Sequence, residues 1–285
     1  MNELADGLPR QAVTDVVARA LEEDLGAAGD VTTLATISAA ATASADLVPR
    51  QRGVVAGLAV AAYVFETVSQ GRLGIEFGTS DGAQVDAGEI LATAHGPIRD
   101  LLTAERTALN LLGHLSGIAT LTRAWVDAVD GTGAKIRDTR KTMPGLRALE
   151  KYAVRVGGGV NHRMSLSDAA LVKDNHVAAA GGVVQAFDLV RAAYPGLPLE
   201  VEVDTVEQAR EVIDAGAELV LLDNMPPPLL REVVVYAAGR CLLEASGGLT
   251  LATARAVAQT GVDYLAVGAL THSAPVLDIG LDIQG

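Results

Sequence analysis

The chain has 285 residues with a formal net charge of −13, 49% hydrophobic residues and 3% aromatic ones. It is long enough for one large or two modest domains that bury roughly 75% of their unfolded surface without staples. The acidity excludes a broad basic face for nucleic acid or anionic membrane, and the single cysteine, Cys241, excludes an internal disulfide. The opening MNELADGLPR has no basic segment leading into an apolar run. The longest apolar run, Gly53 to Phe65, is well below the ~20 residues that cross a bilayer. A soluble, cytoplasmic protein in a reducing compartment is expected.

Pro9 to Leu25 is predicted helical, because proline suits a first turn and Val13, Val16, Val17, Ala20 and Leu21 recur at helical spacing. Strands are expected at Ala43 to Val48 and Gly53 to Ala56, a helix at Gly57 to Gln70, and short strands at Leu73 to Phe77 and Ile90 to His95 around an Asp81-Gly82 turn. Pro97 opens a long helical stretch, expected to break near Gly113 to Gly117. After Gly133 the pattern becomes a repeat of apolar strand, loop and amphipathic helix. Strands are predicted at Lys135 to Asp138, Ala169 to Lys173, Leu199 to Val203, Leu219 to Leu222, Cys241 to Ala245 and Tyr264 to Val267. Alternation of this kind implies a parallel, barrel-like sheet, and six strands fall short of the eight that close a barrel. The tail, Leu277 to Gln284, is expected to return to the first section as a strand.

Within this acidic chain lies a basic island, Arg137 to His176. From Lys135 to Lys173 there are nine Lys/Arg and three acids, a local balance of +6 that leaves −19 on the remainder. Such a contrast suits a cleft that concentrates a small polyanion. Each predicted barrel strand also ends in polar or glycine residues, where parallel barrels build their sites. In chain order these are Asp138/Arg140/Lys141, Lys173/Asp174/Asn175, Glu202/Asp204, Asp223/Asn224, Glu244/Ser246/Gly247/Gly248 and Gly268/His272.

Ser246-Gly247-Gly248 and Gly268-Ala269 either form tight strand-to-helix turns or cradle a phosphate with backbone N–H groups, and their place after the last two strands favours phosphate. Glu202 and Asp223 could hold a Mg²⁺ shell, accept from ribose hydroxyls, or form a structural pair near Lys173. Arg140, Lys141, Arg163 and Lys173, with His162, could grip carboxylates. Arg147, Lys151 and Arg155, on a helix predicted from Gly145 to Val156, are expected to face solvent. Gly157 to Gly159 suits either a ligand-wrapping loop or a helix cap. His95 and His114 are expected to be structural, and His176 has no assigned role. There is no HExxH, CxxC, GxSxG or GxGxxG, so zinc-hydrolase, serine-hydrolase and dinucleotide-fold readings lack support.

GDVTT, TAERTALNLLGHLSGIAT, RDTRKTMPGLRALEKYAVRVGGGVNHR, LSDAALVKDNH, LEVEVD, LLDN, EASGGL and VDYLAVGALTHS together resemble the quinolinate phosphoribosyltransferase family, over residues from about 22 to 283. Met143, Met164-Ser165 and Ala245 stand where relatives often carry other residues, none of them an expected catalytic group. The resemblance implies an α/β fold with an N-terminal α/β sandwich domain (1–115, joined by the tail 275–285) and an open α/β barrel (116–274) that carries the active site. It implies a type II phosphoribosyltransferase acting on quinolinate and 5-phosphoribosyl-1-pyrophosphate with Mg²⁺, giving nicotinate mononucleotide, CO₂ and pyrophosphate. It also implies a homodimer with shared sites. Carried over to this chain, Arg106 (from the partner), Thr139, Arg140, Lys141, His162, Arg163 and Lys173 are quinolinate-side positions. Lys141, Lys173, Glu202, Asp223, Ser246, Gly247, Gly248, Gly268, Ala269 and His272 are phosphoribosyl-side positions. Lys141, Lys173, Glu202 and Asp223 form the catalytic set, and Glu202 and Asp223 are the metal candidates. A related transferase with another acceptor would not need the cations Arg106, Arg140 and Arg163 together with His162, and a phosphosugar sensor would not need Lys141, Lys173, Glu202 and Asp223. A type I transferase is disfavoured because MPPP, not an acid-and-threonine loop, follows LVLLDN.

Overall fold

The computed structural model describes residues 3–5 and 7–284. Met1, Asn2, Asp6 and Gly285 lie outside the described residues, so the opening stretch read for a leader is described only in part. Two compact units emerge, Met1–Arg123 with Thr142–Gly158 and Leu270–Gly285, and Ala124–Lys141 with Gly159–Ala269. Among the described residues no helix is long and apolar enough to cross a membrane.

The first unit begins with strands β1 (Glu3–Ala5) and β2 (Leu8–Pro9), helix α1 (Arg10–Leu25) and helix α2 (Val31–Thr36). Pro9 caps α1 with extended backbone and Asp30 caps α2 by accepting from the Thr33 N–H. Then come β3 (Thr42–Pro49), β4 (Gly53–Val54), α3 (Leu58–Ser69), β5 (Gly74–Phe77), β6 (Gln84–Val85), β7 (Ala92–Pro97) and the long α4 (Ile98–Val129). β3, β5 and β7 form an antiparallel sheet in the order β5-β7-β3, and β14 (Ile279–Ile283) pairs with β3 as the fourth strand. Alternate residues of these strands, such as Ala45, Leu47, Ala92 and Ala94, are buried, as the period of two requires.

The predicted break at Gly113 to Gly117 does not occur: α4 runs 32 residues without interruption. Its glycines serve close approach instead. A Cβ at Gly117 would lie 2.1 Å from the Pro275 carbonyl oxygen, and the Gly113 carbonyl accepts from the Leu277 N–H at 3.0 Å. The tail therefore runs directly against the backbone of α4, and only glycine leaves it room. The division between the units falls within this helix, after Arg123.

The second unit contains β8 (Lys135–Arg137), while α5 (Arg147–Val156) belongs to the first. There follow β9 (Ala170–Val172), α6 (Asp174–Ala180), α7 (Val183–Ala193), β10 (Leu199–Val203), α8 (Val206–Asp214), β11 (Leu219–Asp223), α9 (Pro227–Ala237), β12 (Leu242–Ser246), α10 (Leu251–Ala258) and β13 (Tyr264–Ala266), and then the short α11 (Ala269–His272), which returns to the first unit from Leu270 onward. The six strands are all parallel, in the order β8-β13-β12-β11-β10-β9. β8 and β9 are the two ends of this order and do not pair with each other among the described residues, which makes the sheet an open α/β barrel. Val201, Val203, Val220, Leu222, Leu243, Ala245 and Leu265 are buried. Residues of opposite parity, Glu200, Glu202, Leu221, Asp223, Glu244 and Ser246, face the other side of the pleat.

The basic island is divided by this arrangement. Arg147, Lys151 and Arg155 lie on α5 in the first unit and do not form a solvated face. Lys151 is fully buried, Arg147 Nε donates to the Thr142 hydroxyl, and Arg155 Nη2 donates to the Gly7 carbonyl while lying over the Tyr152 ring. Leu149 to Val154 are all buried, more than a full turn of α5, so the middle of this helix is enclosed on every side and its charged residues are covered along with its apolar ones.

Candidate active site

At the C-terminal ends of the barrel strands a cavity of about 370 Å³ is lined by Thr139, Arg140, Lys141, His162, Arg163, Leu171, Lys173, Glu202, Leu221, Asp223, Glu244, Ser246 and Ala266. The period of two explains this set: on β9, β10, β11 and β12 the residue at the strand end and the one two before it share a face. Leu171/Lys173, Glu200/Glu202, Leu221/Asp223 and Glu244/Ser246 are thus an inner and an outer position on each strand, with Glu202 level in register with Leu221 and Glu244. Three further cations arrive on loops, Arg140 and Lys141 directly after β8 and Arg163 after the bridge that joins Val160 to Arg137.

At the outer positions Lys173 Nζ donates to Glu202 Oε2 at 2.5 Å, and Asn224 Nδ2 donates to Asp223 Oδ2 at 2.6 Å. Lys173 is itself held by His176, whose Nδ1 accepts from the Lys173 N–H at 2.9 Å at the start of α6. That gives His176, which the sequence left without a role, a local structural one. Asn224 adopts a left-handed backbone (φ 52°) and its N–H donates to the Ser246 carbonyl. Gly247, at φ 86°, passes so close that a Cβ there would meet Asn224 Oδ1 at 2.3 Å. Glycine is required here by both conformation and space.

The inner positions on β10 and β12 are buried and charged. His162 Nδ1 accepts from the Arg163 N–H at 2.7 Å, so the ring proton sits on Nε2, which faces Glu200 Oε2 at 2.7 Å. Arg137 Nη1 donates to Glu244 Oε2 at 2.7 Å and its guanidinium lies 4.8 Å from the centre of the Tyr264 ring. Burial, then the nearby Glu200, push the Glu244 carboxyl up to about 8, against the pull of Arg137. Burial and the neighbouring Arg140 lower the Arg163 guanidinium from its ordinary value. The loop beyond Arg163 is closed by Asp168: burial opposes its ionisation, but the N–H groups of Met164 and Ser165 and the Ser165 hydroxyl outweigh that and hold it at about 2.

Of the residues singled out from the sequence, Thr139, Arg140, Lys141, His162, Arg163, Lys173, Glu202, Asp223 and Ser246 meet around this one cavity. Gly247, Gly248, Gly268 and Ala269 belong to the same unit but do not line it. Arg106 and His272 lie in the other unit: Arg106 is 63% exposed on α4 beside Glu105, and His272 Nδ1 pairs with the Ser273 hydroxyl. His95 and His114 are bonded within the first unit, to Ser44 and Glu150. Gly157 caps α5, its N–H donating to the Ala153 carbonyl. Sequence reasoning missed Asp138 and Glu200 as supports and Leu171, Leu221 and Ala266 as apolar lining. Counting back two residues from each strand end would have found Glu200, Leu171 and Leu221.

His162, Glu200 and Glu244 bring ligand atoms within 4.8 Å of one another, and by distance could hold a metal ion. Glu202 and Asp223 offer hard carboxylate oxygens near the ends of adjacent strands on the cavity wall.

An open parallel α/β barrel whose rim sets Arg and Lys against two carboxylates defines an enzyme that handles small polyanions at the strand ends. Residues 30–116 match the N-terminal domain, and residues 118–282 the C-terminal domain, of quinolinate phosphoribosyl transferase. The chain belongs to the quinolinate phosphoribosyl transferase family. It is 55% identical over 280 residues to the nicotinate-nucleotide pyrophosphorylase [carboxylating] of Mycobacterium leprae, covering 95% of this chain and 97% of that protein. It is 44% identical to a probable nicotinate-nucleotide pyrophosphorylase [carboxylating] of Bacillus subtilis, over 92% and 90% of the two chains. The crystal structure of NadC from Streptococcus pyogenes superposes with a TM-score of 0.92 at 39% identity, over 98% and 99% of the two chains.

Proposed function

We infer that this chain transfers the phosphoribosyl group of 5-phosphoribosyl-1-pyrophosphate to the ring nitrogen of quinolinate, with loss of CO₂ and pyrophosphate, to give nicotinate mononucleotide. The observation that carries the reading is the gathering of Arg140, Lys141, Arg163 and Lys173 around one cavity of a chain with net charge −13. Quinolinate bears two adjacent carboxylates, and the paired guanidiniums of Arg140 and Arg163 suit a planar dianion.

The pyridine nitrogen is already a nucleophile, so the chemistry asks for orientation and charge stabilisation rather than a base. Arg140, Arg163 and Thr139 orient the acceptor while Lys141 and Lys173 face the pyrophosphate. As the nitrogen–C1′ bond forms and the bond to pyrophosphate breaks, positive charge develops on the ribose. Glu202 and Asp223 line the wall where that charge is offset. Mg²⁺, held by Glu202 and Asp223 with phosphate oxygens, would supply positive charge to the leaving pyrophosphate. The ribosylated pyridinium then accepts the electron pair of the breaking C2–carboxylate bond, CO₂ departs, and C2 takes up a proton. Ser246 and the Gly247-Gly248 turn take the 5′-phosphate.

The chain works as a homodimer in which the partner's Arg106 completes each site; exposure of this arginine on α4 supports that role. A cytoplasmic setting fits the single thiol, Cys241. The test is product formation from quinolinate, phosphoribosyl pyrophosphate and Mg²⁺, with nicotinate as a parallel acceptor. Nicotinate mononucleotide and CO₂ from quinolinate alone are expected, and silence with quinolinate would overturn the assignment.

A further inference from the structure

Asp138 is the first residue after β8, fully buried, and not part of the cavity lining. Its side chain spans to another loop. Oδ1 accepts the His162 N–H at 2.7 Å and Oδ2 accepts from Asn161 Nδ2 at 2.5 Å. The backbones run together at the same place, with Asp138 N–H donating to the Val160 carbonyl at 3.2 Å and Val160 N–H to the Ile136 carbonyl at 2.8 Å. The residues directly following Asp138 are Thr139, Arg140 and Lys141, and the residue following His162 is Arg163; all four line the cavity.

One buried carboxylate therefore joins the two segments that carry the acceptor-side cations. The restraint continues through His162, which receives the Arg163 N–H on Nδ1 and faces Glu200 through Nε2. These cations repel: Arg140 depresses the ionisation of Arg163. Two mobile loops bearing such charges would separate in the absence of substrate, and a rigid join between them holds the cradle ready.

We propose that Asp138 is a positioning residue for acceptor binding, a staple that sets the spacing between the Arg140 and Arg163 guanidiniums at which two adjacent carboxylates are received. The proposal rests on the dicarboxylate reading of the cavity given above. It assigns Asp138 no contact with substrate.

The test compares wild type with Asp138→Asn, with Asn161→Ala, and with the swapped double variant Asp138→Asn/Asn161→Asp. In Asp138→Asn the charge-assisted bonds to the His162 N–H and to Asn161 become neutral, and the side-chain pair re-forms only if Asn161 turns its amide over to accept where it now donates. In the swap, Asn at 138 still accepts the His162 N–H through its carbonyl and donates to the new carboxylate, so both bonds return. Amide hydrogen exchange over residues 160–164 reads the staple directly. Asp138→Asn should speed exchange there and raise KM for quinolinate by about 10-fold or more, with KM for phosphoribosyl pyrophosphate changed less than ~3-fold. Asn161→Ala should show the same pattern at smaller size, and it serves in place of Asp138→Asn should that variant fail to fold. The swap should recover both exchange protection and KM. Unchanged exchange, equal rises in both KM values, or a swap that recovers neither would overturn the proposal. A wild-type enzyme inactive on quinolinate would defeat the functional reading, and the exchange data would still decide the staple.

Discussion

Arg163→Ala removes a guanidinium that lies on the cavity wall, donates through Nη1 to the Ala169 carbonyl at 2.9 Å, and stands close enough to Arg140 for the two charges to oppose each other. In the empty site that repulsion is a cost. A dianion between the two arginines converts it into two attractions, so the arginine is worth more to the complex than to the free enzyme. Each charge-assisted hydrogen bond contributes about 1.5–3 kcal/mol, and truncation also leaves a carboxylate poorly paired, while relief of Arg140 returns part of the loss. A net loss of about 2–4 kcal/mol follows, or about 30- to 1000-fold in quinolinate affinity. Arg163→Lys keeps the charge without the fork and should fall between. Calorimetric titration with quinolinate and with phosphoribosyl pyrophosphate, alongside kcat/KM for each, measures the difference. A loss of similar size for both substrates would refute the reasoning, because it would make Arg163 a general support of the rim rather than an acceptor group.

Three other outcomes are expected. Arg106→Ala and Lys141→Ala should each abolish activity alone, while randomly mixed subunits should recover about a quarter of wild-type activity, since half the dimers then contain one intact shared site; no recovery would exclude sharing. Gly117→Ala should lower the melting temperature although alanine favours helix by ~1 kcal/mol, because its Cβ meets the Pro275 carbonyl oxygen and overpacking costs about 1–3 kcal/mol; thermal unfolding of the variant reads the sign. Glu244 is raised from an ordinary 4.5 to about 8, so the folded state holds its proton more tightly than the unfolded state between those values. Its contribution is complete below about 4.5 and is lost as pH rises towards 8, and Glu244→Gln should flatten that fall in a melting-temperature series against pH.

Much of the barrel was legible because its signals are local. Six short β-branched or leucine-rich runs, each followed by a loop and an amphipathic helix, define strand positions to within a residue or two, and polar strand ends mark the rim. Arg140, Lys141, Lys173, Glu202 and Asp223 were visible as site candidates from that rule. What failed were inferences from one-dimensional proximity. Arg147, Lys151 and Arg155 sit in the middle of the basic island, yet they belong to the first unit, and Lys151 is buried. Gly113 and Gly117 look like helix breakers, and their reason is a tail more than 150 residues away that lies against the helix backbone.

From the sequence alone came the α/β class, the parallel repeat, the family resemblance and the residue types at the rim, because each depends on periodicity or on residues close together in the chain. Tertiary structure alone decided which charges share a cavity and what supports them. Asp138 holds Asn161 and His162 across 23 and 24 positions, and Arg137 meets Glu244 across 107. A buried acid or a glycine acquires its role from the partner brought against it by folding, and that partner lies outside any local window.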